Sequence, residues 1–285
     1  MMKTKILVCC HKPDPAIRTE EPYLPLQVGK ANHPELDLGF ATDDTGDNIS
    51  ERNEGWSELT GMYWGWKNVR DVDYLGVCHY RRYFNIDFSR HSVEELLQGK
   101  DIIAAKRKRQ LSKNERLRNL AWYTSLEDTY LFIDTILSLY PDIEPALIRY
   151  FCNSRDSYSY NMFIARKETY DAYCAFMFPI LFELEKRLKD RGYWRARRGM
   201  AYFGEWCLGL FIFYKGLKVR RIPVTNWEGL SGAKKLFVAV RDAVCRPLYF
   251  LRDLLVPVPE HIRVPYFVLT GYRHDGIALR ALKMD

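Results

Sequence analysis

The sequence predicts an α/β fold with a mainly parallel central sheet flanked by helices. Three apolar runs of strand length support this prediction, at residues 5–10, 74–78 and 101–105. Continuous apolar runs of this length are typical of parallel strands that helices cover on both faces. Segments with helical spacing lie between them, and strands that alternate with helices indicate a parallel sheet.

The first half of the chain is predicted as strand, loop, strand, loop, helix and strand. These elements occupy residues 5–10, 11–15, 36–41, 42–48, 54–69 and 74–78, in that order. Two prolines mark the first loop, and an Asp- and Gly-rich segment marks the second. The helix follows from apolar side chains at helical spacing, namely Trp56, Leu59, Tyr63 and Trp66.

The second half adds three predicted strands and five predicted helical segments. The strands are 101–105, 158–165 and 217–222, and the helical segments are 93–97, 126–151, 168–189, 203–214 and a last one from about residue 232. Prolines 141 and 145 should break the second of these segments, and Pro179 should bend the third. We expect one domain over residues 1–231 and a basic C-terminal extension over 232–285.

Composition indicates a globular protein with a surplus of positive charge. Of the 285 residues, 47% are hydrophobic and 28% are charged, which excludes a disordered chain. The net charge of +7 is clustered at 106–109, 113–118, 195–198 and 234–252. Such clusters either attract polyanions (nucleic acid, anionic lipid or a phosphorylated substrate) or form a solvated surface.

The cysteines and the N-terminus predict a cytoplasmic protein. Seven cysteines at irregular spacing, mostly in apolar segments, are typical of reduced, buried thiols. The apolar run at the N-terminus is too short for a signal peptide, and no run approaches the length of a membrane-spanning helix.

The strand at 74–78 ends in His79, Tyr80, Arg81 and Arg82. Ligands of open α/β sheets bind beyond the carboxyl ends of the strands. Two guanidiniums at such an edge suit a phosphate or a diphosphate. The sequence has no Gly-rich phosphate loop and no GxSxG elbow, which argues against the usual ATP, NAD and hydrolase sites.

The residue types in the sequence would allow two metal sites, one for zinc and one for Mg²⁺ or Mn²⁺. Zinc could bind Cys9, Cys10 and His11 together with Cys78 and His79, although the spacing matches no zinc signature. The acidic loop could hold Mg²⁺ or Mn²⁺ beside a diphosphate through Asp44 and Asp47. Its aspartates could equally form a solvated turn that caps the next helix, which we favour for Asp43.

Glu205 is a candidate general base, because it is a carboxylate among aromatic residues. The sequence places it at the start of the predicted helix 203–214. The alternative role is therefore to cap that helix or to complement its dipole.

Five sequence segments resemble a bacterial domain family from capsule, O-antigen and exopolysaccharide loci. They are residues 44–50, Glu58-Leu59-Thr60, residues 63–68, His79-Tyr80-Arg81-Arg82-Tyr83-Phe84 and Asn161-Met162-Phe163. The resemblance covers residues 4–222. It implies a glycosyltransferase with a GT-A-like fold, and some members of that family are associated with galactofuranosyl transfer.

The resemblance implies that a sugar moves from a nucleotide diphosphate donor, such as a UDP-sugar, to a hydroxyl of a growing surface glycan. The acceptor would be linked to polyprenyl diphosphate. Arg81 and Arg82 would hold the diphosphate, Glu205 and His79 would be catalytic, and the remaining substrate contacts would be Asp44, Asp47, Asn48, Asn161 and His11. GT-A enzymes carry a metal-binding Asp-x-Asp where this chain has His79-Tyr80-Arg81, so cationic side chains could replace the metal. We therefore expect no firm cofactor, with Mn²⁺ or Mg²⁺ as the alternative.

Two rival functions differ in what they bind or release. The basic clusters could bind nucleic acid, although they follow no recognised motif and we expect no nucleic-acid partner. A nucleotide-sugar hydrolase would consume the donor without an acceptor. Finally, residues 234–255 form a basic amphipathic pattern that predicts a helix lying on an anionic membrane, at the inner face of the cell membrane, or else packed on the domain.

Overall fold

The structure, a computed structural model, describes residues 2–106, 110–113, 115–194, 198–226, 232–255, 262 and 282–283. The chain forms two compact units. Unit 1 comprises Met1–Arg107, Tyr158–Phe182 and Arg197–Trp227, and unit 2 comprises Lys108–Ser157, Glu183–Ala196 and Glu228–Asp285. The predicted functional division at residue 231 stays a prediction.

Strands and helices alternate through most of unit 1. The strands among the described residues of both units are β1 Thr4–Cys10, β2 Tyr23–Gln27, β3 Ala41–Thr42, β4 Tyr74–His79, β5 Arg82–Phe84, β6 Ile102–Ala105, β7 Phe163–Arg166, β8 Tyr193–Trp194, β9 Val219–Ile222, β10 Val224–Asn226 and β11 Leu282–Lys283. The helices are α1 Asn53–Trp56, α2 Leu59–Asn68, α3 Val93–Leu96, α4 Glu115–Tyr123, α5 Leu126–Leu139, α6 Glu144–Leu147, α7 Lys167–Arg191, α8 Gly199–Lys215 and α9 Gly232–Leu255.

The central sheet of unit 1 is mixed. Its described strands follow the order β3-β2-β1-β4-β7-β6-β9, with β5 paired to β4 and β10. The pairs β1–β2, β1–β4, β2–β3 and β6–β9 are parallel, whereas β7 runs antiparallel to both of its neighbours. β4 and β6 therefore point in the same direction, so their carboxyl ends share one edge of the sheet.

The predicted strands at 5–10, 74–78, 101–105 and 217–222 are confirmed. The strand predicted at 36–41 is wrong except at its end, since only Ala41–Thr42 pairs, and β2 was missed because Pro25 and Gln27 interrupt its apolar pattern. The helix predicted at 54–69 is two helices, because Ser57 adopts a φ of 50° between them. The strand predicted from residue 158 begins only at Phe163.

Two glycines let helix α2 lie directly against strand β1. A Cβ on Gly65 would stand 2.4 Å from Leu7 Cδ1, and one on Gly61 would stand 2.9 Å from Cys9 Sγ. Leu7, Leu59 and Met62 are fully buried in the layer between helix and sheet. This close approach fixes the N-terminus of α2 beside the carboxyl end of β1.

Unit 2 is mainly helical where the structure describes it. Arg116 is buried there and donates hydrogen bonds to the backbone carbonyls of Tyr150, Ser154 and Asp156. Helix α9 confirms the helix predicted from residue 232, and Pro247 lies inside it. No helix among the described residues is both long enough and apolar enough to cross a membrane.

Candidate functional site

The candidate site lies at the edge of the unit 1 sheet where β1, β2, β3, β4 and β6 end. We call this the carboxyl edge. His11 follows β1, His79 ends β4, and Lys106 follows β6. Strand β7 runs the other way, so Asn161 reaches the same edge just before that strand begins. The topology thus gathers most of the predicted site residues at one edge, as ligand sites of α/β sheets require.

An open cavity beside Arg81 is large enough for a nucleotide sugar. Its volume is about 720 Å³, and its walls include Asp14, Arg18, Thr19, Arg81, Asn85 and Thr225. Cavities of roughly 300–1,000 Å³ hold small-molecule ligands. We call this cavity the Arg81 groove.

Asp14 orients Arg81 against the groove. Its carboxylate accepts from Arg81 Nε at 2.8 Å and from Nη2 at 2.7 Å, which fixes the guanidinium plane. Hydrogen bonds from the Ala16 backbone N–H and from the Arg81 side chain hold the pKa of Asp14 below its usual range. Asp14 therefore stays ionised, and an anionic ligand would have to share Arg81 with it.

Arg82 and His79 both contact the turn that precedes β7. The Arg82 guanidinium lies over the Tyr160 ring at 4.6 Å, and His79 Nε2 lies 2.6 Å from the Tyr160 carbonyl oxygen. A carbonyl only accepts, so His79 Nε2 carries the hydrogen and Nδ1 is the nitrogen that could take a proton. Arg81 and Arg82 thus have different surroundings, and Arg82 is not among the residues that line the Arg81 groove.

The backbone of this turn is strained. Tyr160 and Asn161 have φ values of 72° and 51°, in the left-handed region that bulky residues avoid. Such strain persists only where surrounding contacts hold it, and it concentrates at functional sites. Here the contacts come from His79, Arg82 and the buried amide of Asn161.

Asn161 is fully buried and joins the turn to the start of α2. Its Nδ2 donates to Glu58 Oε1 at 2.8 Å. Its Oδ1 is buried and accepts no hydrogen bond among the residues that the structure describes. An unsatisfied buried acceptor is costly, so it points to a donor that a ligand or an ordered water would supply.

His11 lies close to several cations at the carboxyl edge. Burial, followed by the charges of Lys12, Arg198 and Arg81, lowers the pKa of His11 below its usual value. Arg198 in turn donates to Ser57 Oγ at 2.9 Å, at the break between α1 and α2. The neutral imidazole and its cationic neighbours form a surface suited to an anion.

The acidic loop begins after β3 at the same edge, three strands from β4. At about 4.8 Å per strand, the end of β3 lies about 14 Å from the end of β4. The loop then runs to Asn68 at the C-terminal end of α2, with which Asp47 shares hydrogen bonds.

Asp43 is fully buried and accepts from the Gly29 and Lys30 backbone N–H groups and from Ser50 Oγ. It is therefore neither solvated nor the cap of the next helix, and the role favoured for it is wrong.

Asp47 forms a hydrogen bond with helix α2, and Asn48 forms hydrogen bonds within the acidic loop itself. Asp47 Oδ1 accepts from the Tyr63 hydroxyl at 3.0 Å, and Asn48 Nδ2 donates to the carbonyls of Asp44 and Gly46. Asp44 itself has an exposed side chain. The substrate roles predicted for these residues stay predictions.

The thiols near the edge are poor zinc ligands. Cys9, Cys10 and Cys78 are buried, and burial raises the pKa of each thiol, that of Cys10 to about 12. Zinc binds the thiolate, which this environment disfavours. Among the described residues no group of three or more His, Cys, Asp or Glu side chains is placed to hold a metal ion.

Glu205 does not lie at a helix start. Helix α8 begins at Gly199, and its first turn contains no acidic residue, so the capping role predicted for Glu205 is wrong. The prediction failed because residues 199–202 were not recognised as helical. Glu205 is half-buried, about 10 Å along the helix from Arg198 at 1.5 Å per residue.

Sequence reasoning missed roles for Asp14, Ser57, Glu58, Tyr160 and Arg198. Glu58 and Asn161 are 103 residues apart, and Arg81 and Asp14 are 67 apart. Of these, only Asp14 had a usable signal in the sequence, since it lies in the loop predicted at 11–15 after a strand, whereas Tyr160 was predicted inside a strand.

Comparisons with known proteins identify the family of the chain and a similar solved structure. A family model described as "Domain of unknown function (DUF4422)" matches residues 5–216, which include the whole carboxyl edge. A solved structure described as a WbbM bifunctional glycosyltransferase in its apo form is similar, with a TM-score of 0.67 and 29% identity. The match covers 80% of this chain and 46% of the other, so the chain spans less than half the length of that enzyme. No curated protein matches the chain.

The likeness confirms the predicted fold class, which is α/β and GT-A-like with a central sheet flanked by helices. The structure corrects one detail, since the sheet is mixed about β7.

Proposed function

We propose that this chain, which belongs to the DUF4422 family of domains, is a glycosyltransferase that acts in the synthesis of a bacterial surface glycan. The donor would be a nucleoside diphosphate sugar and the acceptor a sugar hydroxyl. The observation that carries this proposal is the Arg81 groove, which combines suitable volume with a fixed guanidinium at the carboxyl edge. The 29% identity to the WbbM glycosyltransferase supports the same reaction class.

The site residues can each serve one step of such a transfer. The acceptor oxygen bonds to the anomeric carbon while the bond from that carbon to the diphosphate breaks. The electron pair passes to the leaving diphosphate, whose charge Arg81 would stabilise. The acceptor proton passes to a base, for which Glu205 is our candidate, with His79 Nδ1 as a second acceptor. Arg82, His79 and Asn161 hold the turn that faces the reacting sugar.

Several finer features belong to the proposal. We expect a UDP-sugar as donor, with galactofuranose or another hexose transferred. We expect an acceptor carried on polyprenyl diphosphate, and a cytoplasmic enzyme that can lie peripherally on the inner face of the cell membrane. Asp44, Asp47, Asn48 and His11 would contact substrate, and His11 lies among cations at the carboxyl edge.

A panel of nucleotide sugars tests the donor. A ligand at 100 times its Kd stabilises a protein by about 2.7 kcal/mol, which is an easily measured rise in Tm. We expect one nucleoside diphosphate sugar to raise Tm and the matching nucleoside monophosphate to raise it less, because the diphosphate contacts Arg81. Product analysis with and without a glycan acceptor then separates a transferase from a hydrolase. Release of free sugar at the same rate without acceptor would contradict the proposal.

Glu205→Gln should lower kcat by about a hundredfold, since it keeps the shape of the side chain and removes a general base. The pH profile should lose its acidic limb. Glu168→Gln is the matched control, because Glu168 is an exposed helical glutamate of the same unit. Unchanged kcat with an unchanged pH profile would remove Glu205 from the chemistry.

Removal of divalent metal should reduce activity only partly. Arg81 and the cations around His11 already offset part of the charge of a diphosphate. The measurement is the initial rate after dialysis against EDTA, with and without added Mn²⁺ or Mg²⁺. Complete loss that Mn²⁺ restores would contradict this and would point to Asp44 or Asp47 as ligands.

A further inference from the structure

Helix α9 carries an apolar face that is open to solvent. Nine large apolar side chains on it are between 52% and 83% exposed, namely Leu236, Phe237, Val240, Val244, Leu248, Phe250, Leu251, Leu254 and Leu255. Single exposed apolar residues are common on soluble proteins, whereas a contiguous patch of this kind marks an interaction surface. We call these nine residues the α9 face.

The α9 face contains no charge. At about 3.6 residues per turn, the nine side chains fall within an arc of about 160°. Ala243 and Pro247 also lie on this arc, and every charged residue of α9 lies outside it. Arg241 and Arg246 are exposed and lie at the two sides of the arc. The helix therefore has an apolar face bordered by cations, which is the pattern of a helix that lies in a membrane interface.

The opposite side of α9 is anchored within unit 2. Asp253 is buried and accepts from the Lys113 backbone N–H at 3.0 Å and from Arg155 Nη2 at 2.7 Å. These contacts fix which side of the helix faces outward, so the exposure of the α9 face is a property of the folded unit.

The spacing along the α9 face favours a flat partner. Phe237, Val240, Val244, Leu248, Leu251 and Leu255 follow one another at intervals of three, four, four, three and four residues. This averages about 3.6 residues per turn, so the stripe runs straight along the helix for about 27 Å. A left-handed coiled coil with a second copy needs about 3.5 residues per turn instead.

We propose that the α9 face docks on an anionic lipid bilayer. The nine apolar side chains enter the boundary between headgroups and acyl chains, while Arg241 and Arg246 lie near anionic headgroups. The proposal does not depend on the reaction at the carboxyl edge, because α9 lies outside the residues that the family model matches.

Vesicle co-sedimentation of the full chain tests the docking. The probes are vesicles of phosphatidylcholine with phosphatidylglycerol, and vesicles of phosphatidylcholine alone. We expect binding to the anionic vesicles at low salt and a loss of about tenfold or more at high salt. Failure to bind anionic vesicles at low salt, or equal binding to both vesicle types, would overturn the proposal.

Matched variants locate the contact. Phe237→Gln, Val244→Gln and Leu251→Gln combined should reduce vesicle binding by at least about tenfold, since they remove apolar area from the face. Trp122→Gln with Leu139→Gln is the control, because both side chains are exposed in unit 2 and neither belongs to α9. Circular dichroism and Tm should be unchanged in both variants, as the replaced side chains are exposed.

Two results with the triple variant would contradict the inference. One is vesicle binding equal to that of the unchanged chain in a variant with an unchanged Tm. The other is a dimer of the unchanged chain that the triple variant converts to a monomer without any change in vesicle binding, which would assign the face to a second copy. Analytical ultracentrifugation of both proteins distinguishes these outcomes.

Discussion

Arg81→Ala is expected to lower kcat/KM by about two to three orders of magnitude, which is the cost of removing one preorganised group that stabilises charge in a transition state. Arg81 is held in plane by Asp14 and lines the Arg81 groove, so it is placed to meet the leaving diphosphate. Most of the loss should appear in kcat, because charge on the leaving group is greatest in the transition state. The measurement is steady-state kinetics with the donor found by thermal shift.

A purely structural role for Arg81 predicts a different pattern. If Arg81 only paired with Asp14, then Arg81→Ala and Asp14→Asn would have equal effects on Tm and on activity. We expect instead that Asp14→Asn keeps donor binding or tightens it, because the carboxylate no longer competes for the guanidinium. Arg90→Ala is the control, since Arg90 forms an exposed ion pair with Asp87 at 3.2 Å and does not line the groove.

Asn161→Asp should destabilise unit 1 and reduce activity together. The change places a second carboxylate 2.8 Å from Glu58 in a buried position, where Asn161 now donates a hydrogen bond. Loss of a buried hydrogen-bond partner costs about 1–3 kcal/mol, and repulsion between the two carboxylates adds to it. The strained Tyr160–Asn161 turn should relax, which would release the contacts to His79 and Arg82.

The pH dependence of this variant has a definite sign. Two buried carboxylates share a proton, so one folded-state pKa rises above its unfolded value. The stability that protonation of this carboxyl group contributes is present at low pH. It is lost as the pH rises through the raised pKa. The difference in Tm between the variant and the unchanged chain should therefore shrink as the pH falls from about 8 to about 5.

A second substitution should rescue the first. Glu58→Gln combined with Asn161→Asp restores a donor opposite an acceptor, with the direction of the hydrogen bond reversed. The double variant should recover most of the lost Tm, and the coupling energy comes from the double-mutant cycle. Asn32→Asp is the control, because Asn32 is exposed and its amide donates to the Glu51 carbonyl. A double variant no more stable than Asn161→Asp alone would show that the pair does not act as inferred.

Local hydrophobic pattern was enough to predict the buried strands and most of the long helices. Strands β1, β4 and β6 are short apolar runs bounded by polar residues, a pattern that is typical of strands in a covered sheet. The same pattern located Arg81 and Arg82 at a strand end, because polar side chains begin where burial stops. The resemblance to a glycosyltransferase family rested on this motif together with the residues around Asn161.

Contacts between residues far apart in the sequence determined the features that the hydrophobic pattern could not predict. Strand β7 runs antiparallel to β4 and β6, and pairing direction leaves no trace in a strand as short as Phe163–Arg166. The bond between Asn161 and Glu58 joins residues 103 positions apart, and it exists only because Gly61 and Gly65 let α2 approach β1.

The sequence by itself determined where the buried strands end and which cationic residues follow them. The change from apolar to polar residues that marks a strand end is a local property of the chain. The tertiary structure alone decided that Arg81 faces the groove with Asp14 while Arg82 lies over Tyr160. Arg81 lies in the turn between β4 and β5 whereas Arg82 begins β5, and the elements that meet each side chain depend on how distant parts of the chain fold together.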